Sequence, residues 1–113
     1  MEKIVAQGLL YDFYGELLTE HQRRVYEDVV FNDMSLSEIA EEQGISRQGV
    51  HDLVKRCDKI LSGYEEKLKL VEKFNQTKKM VEEIKERAGQ YKKDGDRSLI
   101  DRIEAISEEI GKL

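Results

Sequence analysis

Apolar residues recur at helical spacing along most of this chain. Val5, Leu9, Phe13 and Leu17, with Leu10 and Tyr14 beside them, make one broad stripe that predicts a core helix over about residues 4–17. Its aromatic residues Tyr11, Phe13 and Tyr14 fit a packed core better than a base-stacking platform. Thr19 followed three residues later by Gln22 has the form of a capping box, so a second helix is expected to start at Glu20. Val25, Tyr26, Val29 and Val30 supply its apolar side, and Asn32-Asp33 ends it with side chains that compete for backbone hydrogen bonds. Ser35 with Glu38 repeats the capping pattern and opens a third helix, which Gly44 closes as the residue suited to a left-handed turn.

Ser46 caps a fourth helix whose Val50, Leu53, Val54 and Cys57 face the first three. From there Val54, Cys57, Leu61, Tyr64, Leu68 and Val71 step alternately by three and four, the seam of a heptad repeat. Ser62-Gly63 is a candidate kink, and the pattern leaves open whether one helix or two follow. Glu65 with Lys69 and Glu83 with Arg87 are i,i+4 pairs of a solvated helical face. Asn75-Gln76-Thr77 interrupts the seam, which resumes out of phase at Val81, Ile84, Ala88 and Tyr91, so a bend or register change is expected there. The polar run 92–97, centred on Gly95, reads as a linker, and Ser98 is expected to cap a last helix. Leu99, Ile103, Ile106, Ile110 and Leu113 form a second narrow seam on a helix too short to persist alone. That helix must dock on the long one or on another chain. A homodimer is expected, with Leu61, Tyr64, Leu68, Val71, Leu99, Ile103, Ile106 and Ile110 in its interface.

The predicted fold is all-α: a trihelical helix-turn-helix core at residues 1–61, with a long helical extension and C-terminal helix at 62–113. A length of 113 residues suits one small core with an extension, and 38% charged residues with no Pro favour helix. The longest apolar runs fall far short of the roughly 18 residues a membrane span requires, and no hydrophobic leader follows the first residues. No membrane partner and a cytoplasmic location are expected. The lone Cys57 has no disulfide partner and reads as a small buried apolar side chain. The 24 carboxylates lie scattered, without a nucleophile motif, a phosphate-cradling glycine loop or a metal-ligand cluster. An enzyme, a cofactor, a metal and a small-molecule substrate are therefore not expected. The net charge of −5 speaks against indiscriminate nucleic-acid binding, but its distribution is uneven. Residues 1–45 carry 3 Lys/Arg against 10 Asp/Glu, and the remainder 16 against 14, so an anionic partner should meet the second half.

The run 36–55 has the form LSxIAxxxGISxxxVxxLxK, in which nearly every apolar and turn position of a helix-turn-helix is filled. Ala40 is small where two helices cross, Gly44 allows the turn, and Ile39, Ile45, Val50 and Leu53 are expected to fill the wedge between them. Ser46, Arg47, Gln48, His51, Asp52 and Lys55 then point outward. Arg47 and Gln48 suit guanine and adenine edges, His51 can donate or accept in a groove, and Lys55, Arg56 and Lys59 can hold phosphates. Gly49, Asp52 and the acidic first half weaken that reading. His21 is expected on the surface.

The stretch 18–61 resembles the DNA-binding region 4 of bacterial sigma factors, through LTEHQR at Leu18–Arg23, SLSEIAEEQGISRQGV at Ser35–Val50 and the basic Lys55-Arg56. Lacking room for a promoter-melting region, the chain is not expected to be a sigma factor. A closer resemblance, over about residues 9–74 from LLYDFYGELLTEHQRR through YEEKLKLVEKF, is to the YlxM family of small bacterial helix-turn-helix proteins. That resemblance implies a pathway and no catalytic residue: the family is associated with the signal recognition particle through gene proximity, as a candidate regulator. Two readings follow. The chain is a regulator binding DNA through Ser46, Arg47, Gln48, His51, Lys55, Arg56 and Lys59, or an accessory protein of the particle binding its RNA or GTPase. A third, with the helical extension binding protein alone, needs no nucleic acid at all.

Overall fold

A computed structural model describes residues 2–113, and every regular element in that range is a helix. Its elements are α1 (Glu2–Tyr14), a 3-10 turn (Gly15–Leu17), α2 (Glu20–Val30), α3 (Leu36–Gln43), α4 (Arg47–Leu68), α5 (Leu70–Asp94) and α6 (Arg97–Gly111). Both capping boxes form. Thr19 Oγ1 accepts the Gln22 amide at 3.2 Å while Gln22 Oε1 accepts the Thr19 amide at 2.9 Å. Ser35 Oγ accepts the Glu38 amide at 3.1 Å and Glu38 Oε1 the Ser35 amide at 3.0 Å. These bonds satisfy amides that a helix start otherwise leaves orphaned, and they set where α2 and α3 begin. Gly44 closes α3 at φ +69°, where a Cβ would clash with backbone at a cost of about 1–2 kcal/mol. No helix among the described residues is long and apolar enough to cross a membrane.

The chain divides into two compact units, the first ending at Val71 and the second running Glu72–Leu113. The first therefore includes residues 62–71, which the apolar pattern alone assigns to the extension. Two adjoining clusters form its core. Tyr14, Leu18, Tyr26, Val30, Cys57 and Leu61 make one, and Val25, Ile39, Ala40 and Val50 the other. Val29, Leu53 and Val54 touch both, so α2 and α4 are shared walls. Aromatic rings fasten α1 into this core: Tyr11 stacks on Tyr26 at 5.7 Å between centroids, Phe31 meets Tyr11 edge-on at 5.5 Å, and Tyr64 stacks on Tyr14 at 6.0 Å.

The face of α1 that is buried differs from the expected one. Val5 is 67% and Leu17 56% exposed, and Phe13 lies at the surface, whereas Gln7, Gly8 and Tyr14 are buried with Leu10 and Tyr11 packed beside them. The helix carries two overlapping apolar stripes, and the one containing a polar residue is chosen because Asp58 of α4 receives that residue's amide. The turn also ends the α-helix at Tyr14, three residues before the expected Leu17. Ile45, expected in the wedge between α3 and α4, is 38% exposed, and Ile39, Ala40 and Val50 fill that space instead.

The long helical region is two helices, broken at Lys69 and not at Ser62-Gly63, which α4 runs through. Lys69 has φ +55°, and its amide donates to the Glu65 carbonyl at 2.8 Å to close α4. The new start is capped by side chains from earlier in the chain. Tyr14 OH accepts the Leu70 amide at 3.1 Å and donates to Glu65 Oε1 at 2.6 Å, and the same carboxylate oxygen accepts the Val71 amide at 3.0 Å. Glu65 is thus half-buried as a cap of α5 and not simply part of a solvated face.

In the second unit α5 is unbroken through Asn75-Gln76-Thr77, where a bend is expected from sequence; the Thr77 hydroxyl instead folds back to donate to the Lys73 carbonyl at 2.8 Å. Gly95, at φ +68°, turns the chain into α6. Asp96, not Ser98, is the N-cap: its Oδ1 accepts the Ser98 amide at 2.9 Å and the Ser98 hydroxyl at 2.8 Å, and these bonds hold its carboxyl below the usual range. Glu83 Oε1 of α5 receives Arg102 Nε of α6 at 2.9 Å and lies 3.8 Å from Arg87, so the expected i,i+4 pair forms and is extended across the two helices.

Candidate nucleic-acid interface

Along α4 the side chains sort cleanly by direction. Val50, Cys57 and Leu61 are fully buried, with Leu53, Val54, Ile60 and Tyr64 half-buried next to them. Arg47, Gln48, His51, Asp52, Lys55, Arg56 and Lys59 are exposed. This is what helical periodicity does once the apolar stripe is seated: residues one turn apart share a face, and the polar remainder is presented as a contiguous strip. The strip starts at the helix N-terminus, where Ser46 Oγ accepts the Gly49 amide at 2.9 Å. Ser46 is therefore engaged as a cap, with its hydroxyl proton and one lone pair left to offer a partner. Leu36 of α3 joins Arg47, Gln48 and His51 in lining a shallow depression at the helix-turn-helix.

Two polar side chains of this strip converge on one carboxylate oxygen, and one of them bonds to it. Gln48 Nε2 donates to Asp52 Oδ1 at 2.9 Å, and His51 Nδ1 lies 3.7 Å from the same oxygen. The Gln48 to Asp52 spacing of four is a known helical hydrogen-bond pair, so this contact was available from sequence. The cations Arg47, Lys55, Arg56 and Lys59 extend the strip over three turns of the helix.

What orients the strip lies behind it. Asp58, between Cys57 and Lys59, turns inward: Gln7 Nε2 of α1 donates to its two oxygens at 3.0 and 3.1 Å, and Tyr26 OH of α2 donates to Oδ1 at 2.6 Å. Gln7 is only 8% exposed and Tyr26 fully buried, so this carboxylate satisfies two donors that would otherwise be stranded. Burial above all, then the bond to Asp58, holds the Tyr26 hydroxyl protonated far above its ordinary range. Burial likewise pushes the Cys57 thiol up to about 11, with the Asp58 charge adding to it, which makes it an unreactive packing group. Nearer the surface, Tyr11 OH donates to Glu27 Oε2 and Arg23 Nε to Tyr11 OH at 3.5 Å, a second tie between α1 and α2. The polar tie through Asp58 has no sequence motif; only the identity of an inward position, i,i+4 from neither partner, would have pointed to it.

Of the residues expected between two copies of the chain, Leu61 and Ile106 have no exposed surface. Tyr64 and Val71 pack against the cluster around Tyr14, and Leu99, Ile103 and Ile110 are half-buried. Leu68 is 49% exposed. The heptad seam is covered at its centre by the chain itself, because Tyr14 and Leu18 reach it from α1 and the turn that follows.

Residues 1–103 match the family model of UPF0122, whose description is "Putative helix-turn-helix protein, YlxM / p13 like". Among curated relatives, a UPF0122 protein of Caldanaerobacter subterraneus is 55% identical over 78 residues, covering 69% of this chain and 67% of its own. The UPF0122 protein YlxM of Bacillus subtilis is 40% identical over 113 residues, covering 100% of this chain and 97% of its own. A UPF0122 protein of Shouchella clausii is 39% identical over 107 residues, with 94% and 98% covered.

Proposed function

Since this chain belongs to the UPF0122 family of YlxM / p13-like helix-turn-helix proteins, we propose that it binds duplex DNA by laying the exposed strip of α4 in the major groove. In this reading Arg47, Gln48 and His51 meet base edges, Ser46 offers its hydroxyl at the helix start, and Lys55, Arg56 and Lys59 hold phosphates. The observation that carries it is the sorting of α4: every one of these side chains is exposed, while the apolar residues between them are seated in the core. A helix of this kind, held by its back and standing clear along its front, has the shape a major groove admits. The acidic α1 to α3 add few phosphate contacts, so affinity is modest and concentrated on one helix.

The test is a salt titration of binding to random-sequence duplex DNA and to the RNA of the signal recognition particle. Expected is duplex binding that weakens as salt rises, with Arg47→Ala losing preference among sequences and Lys59→Ala weakening all sequences alike. Binding that ignores salt, or an Arg47→Ala protein indistinguishable from the parent, overturns the proposal. A marked preference for the RNA turns it toward an A-form partner, recognised by shape and not through the major groove.

A further inference from the structure

We infer that Asp52 is a specificity-determining residue of the α4 strip, which restrains Gln48 and His51 in the free protein and selects for bases that can donate to a carboxylate. The inference rests on the DNA-binding reading above. Gln48 is the residue suited to adenine, which it recognises by donating to N7 and accepting from N6. In the free protein its Nε2 donates one of its two protons to Asp52 Oδ1 at 2.9 Å, and His51 Nδ1 stands 3.7 Å from the same atom. Both side chains are thus gathered beside one carboxylate. Asp52 itself is exposed on the same strip, with 60% of its side chain open to solvent.

The Gln48 amide carries two protons, so while one is held by Asp52 only the other is free for adenine N7, in the orientation that the bond to Asp52 allows. The Asp52 carboxylate then faces the groove with oxygens that accept. Guanine N7 and O6, thymine O4 and adenine N7 are all acceptors and repel it; the cytosine N4 amine is the donor that suits it, the adenine N6 amine lying beside a repelling N7. Phosphates repel it from every side. Asp52 therefore acts in two ways at once: it lowers affinity for duplex in general and favours sites that place a cytosine amine within its reach. Among the described residues its polar contacts are with Gln48 and His51 of its own helix.

Two substitutions separate the tether from the charge. Asp52→Asn keeps an oxygen that can accept from Gln48 and loses the charge; Asp52→Ala loses both. Asp52 faces solvent, so circular dichroism should be unchanged and serves as the folding control. Affinities are measured for the parent and both variants against a duplex library that varies the bases across one half-turn. Both variants are expected to bind random duplex about tenfold tighter, since each change of that size corresponds to the removal of one unfavourable groove contact. The parent's cytosine preference should vanish in Asp52→Ala and weaken in Asp52→Asn, whose amide oxygen still accepts, and adenine preference through Gln48 should rise most in Asp52→Ala. In the free proteins, the Gln48 side-chain amide resonances should move in Asp52→Ala and less in Asp52→Asn. If the parent binds duplex with base preferences that neither variant alters, the inference about Asp52 fails while the DNA-binding reading stands. If neither parent nor variant binds duplex in a salt-dependent way, both fail.

Discussion

Asp58 and Cys57 are neighbours on α4 that face the core with opposite chemistry, and both yield predictions at the scale of single side chains. Asp58 accepts from Gln7 and Tyr26, so Asp58→Ala leaves a buried hydroxyl and a buried amide without a partner. The expected loss is about 2–3 kcal/mol of folding stability in urea denaturation. Tyr26→Phe removes one donor and leaves Asp58 with Gln7, so it should cost about 1 kcal/mol. Combining the two should cost less than their sum, and strict additivity would show that the contact is not made. For Cys57 the ordinary thiol value is 9.0 and the folded value about 11. The unfolded thiol ionises first, so the advantage of burying it neutral is complete below about 9 and is lost as pH climbs through 9 to 11. Comparing urea midpoints of the parent and Cys57→Ala at both ends of that window should show the parent's margin shrinking at high pH; a constant margin would contradict it. None of this was legible from local pattern. A lone cysteine reads correctly as a buried apolar group, but Asp58 reads as one more surface carboxylate, because its partners lie 51 and 32 residues away.

Elements were legible wherever their limits are set by short-range bonds. The starts of α2, α3 and α4 follow from Thr19, Ser35 and Ser46, each bonding an amide three residues on, and Gly44 ends α3 by its own backbone freedom. The break between α4 and α5 was not legible in place. Gly63 has the weaker helix propensity, yet the helix passes through it and stops at Lys69, where Tyr14 and Glu65 cap the amides of Leu70 and Val71. A tertiary contact overrides local preference there. Two substitutions probe it. Tyr14→Phe removes the hydroxyl that joins Leu70 to Glu65 and should lower stability by about 1 kcal/mol, more if Glu65 is left short of a donor. Lys69→Gly relieves a left-handed conformation unfavourable to a residue with a Cβ and should raise the thermal midpoint, by no more than about 1 kcal/mol in stability. A fall on Lys69→Gly would mean that the break is held by something other than the capping bonds. The start of α6 is a local exception: Asp96 and Ser98 both have cap composition, and Asp96, one position before the first helical residue, takes the role and both bonds from Ser98.

For the whole molecule the decisive quantity is where the charge sits. With −5 overall and the acidic excess confined to residues 1–45, the cationic strip of α4 is the part of the helix-turn-helix head that can face a polyanion with least repulsion. Three phosphate-holding cations, Lys55, Arg56 and Lys59, give an expected slope of about −3 in log affinity against log salt. Lys59→Ala should reduce that slope by about one. A slope several times steeper would bring in cations of another surface and displace α4 as the main contact.

The sequence alone determined the class, the order of helices in the head and the side chains that stand outward on α4. Those follow from periodicity and from caps, which act within one or two turns of chain. Tertiary structure decided which of α1's two apolar stripes is buried, that Glu65 and Tyr14 end α4 at Lys69, and that the centre of the heptad seam is covered within a single chain. Each of those outcomes is a choice between faces or break points of similar local merit. The choice falls to contacts such as Gln7 with Asp58 and Tyr14 with Glu65, whose partners lie some 51 residues apart and leave no trace in any window of sequence.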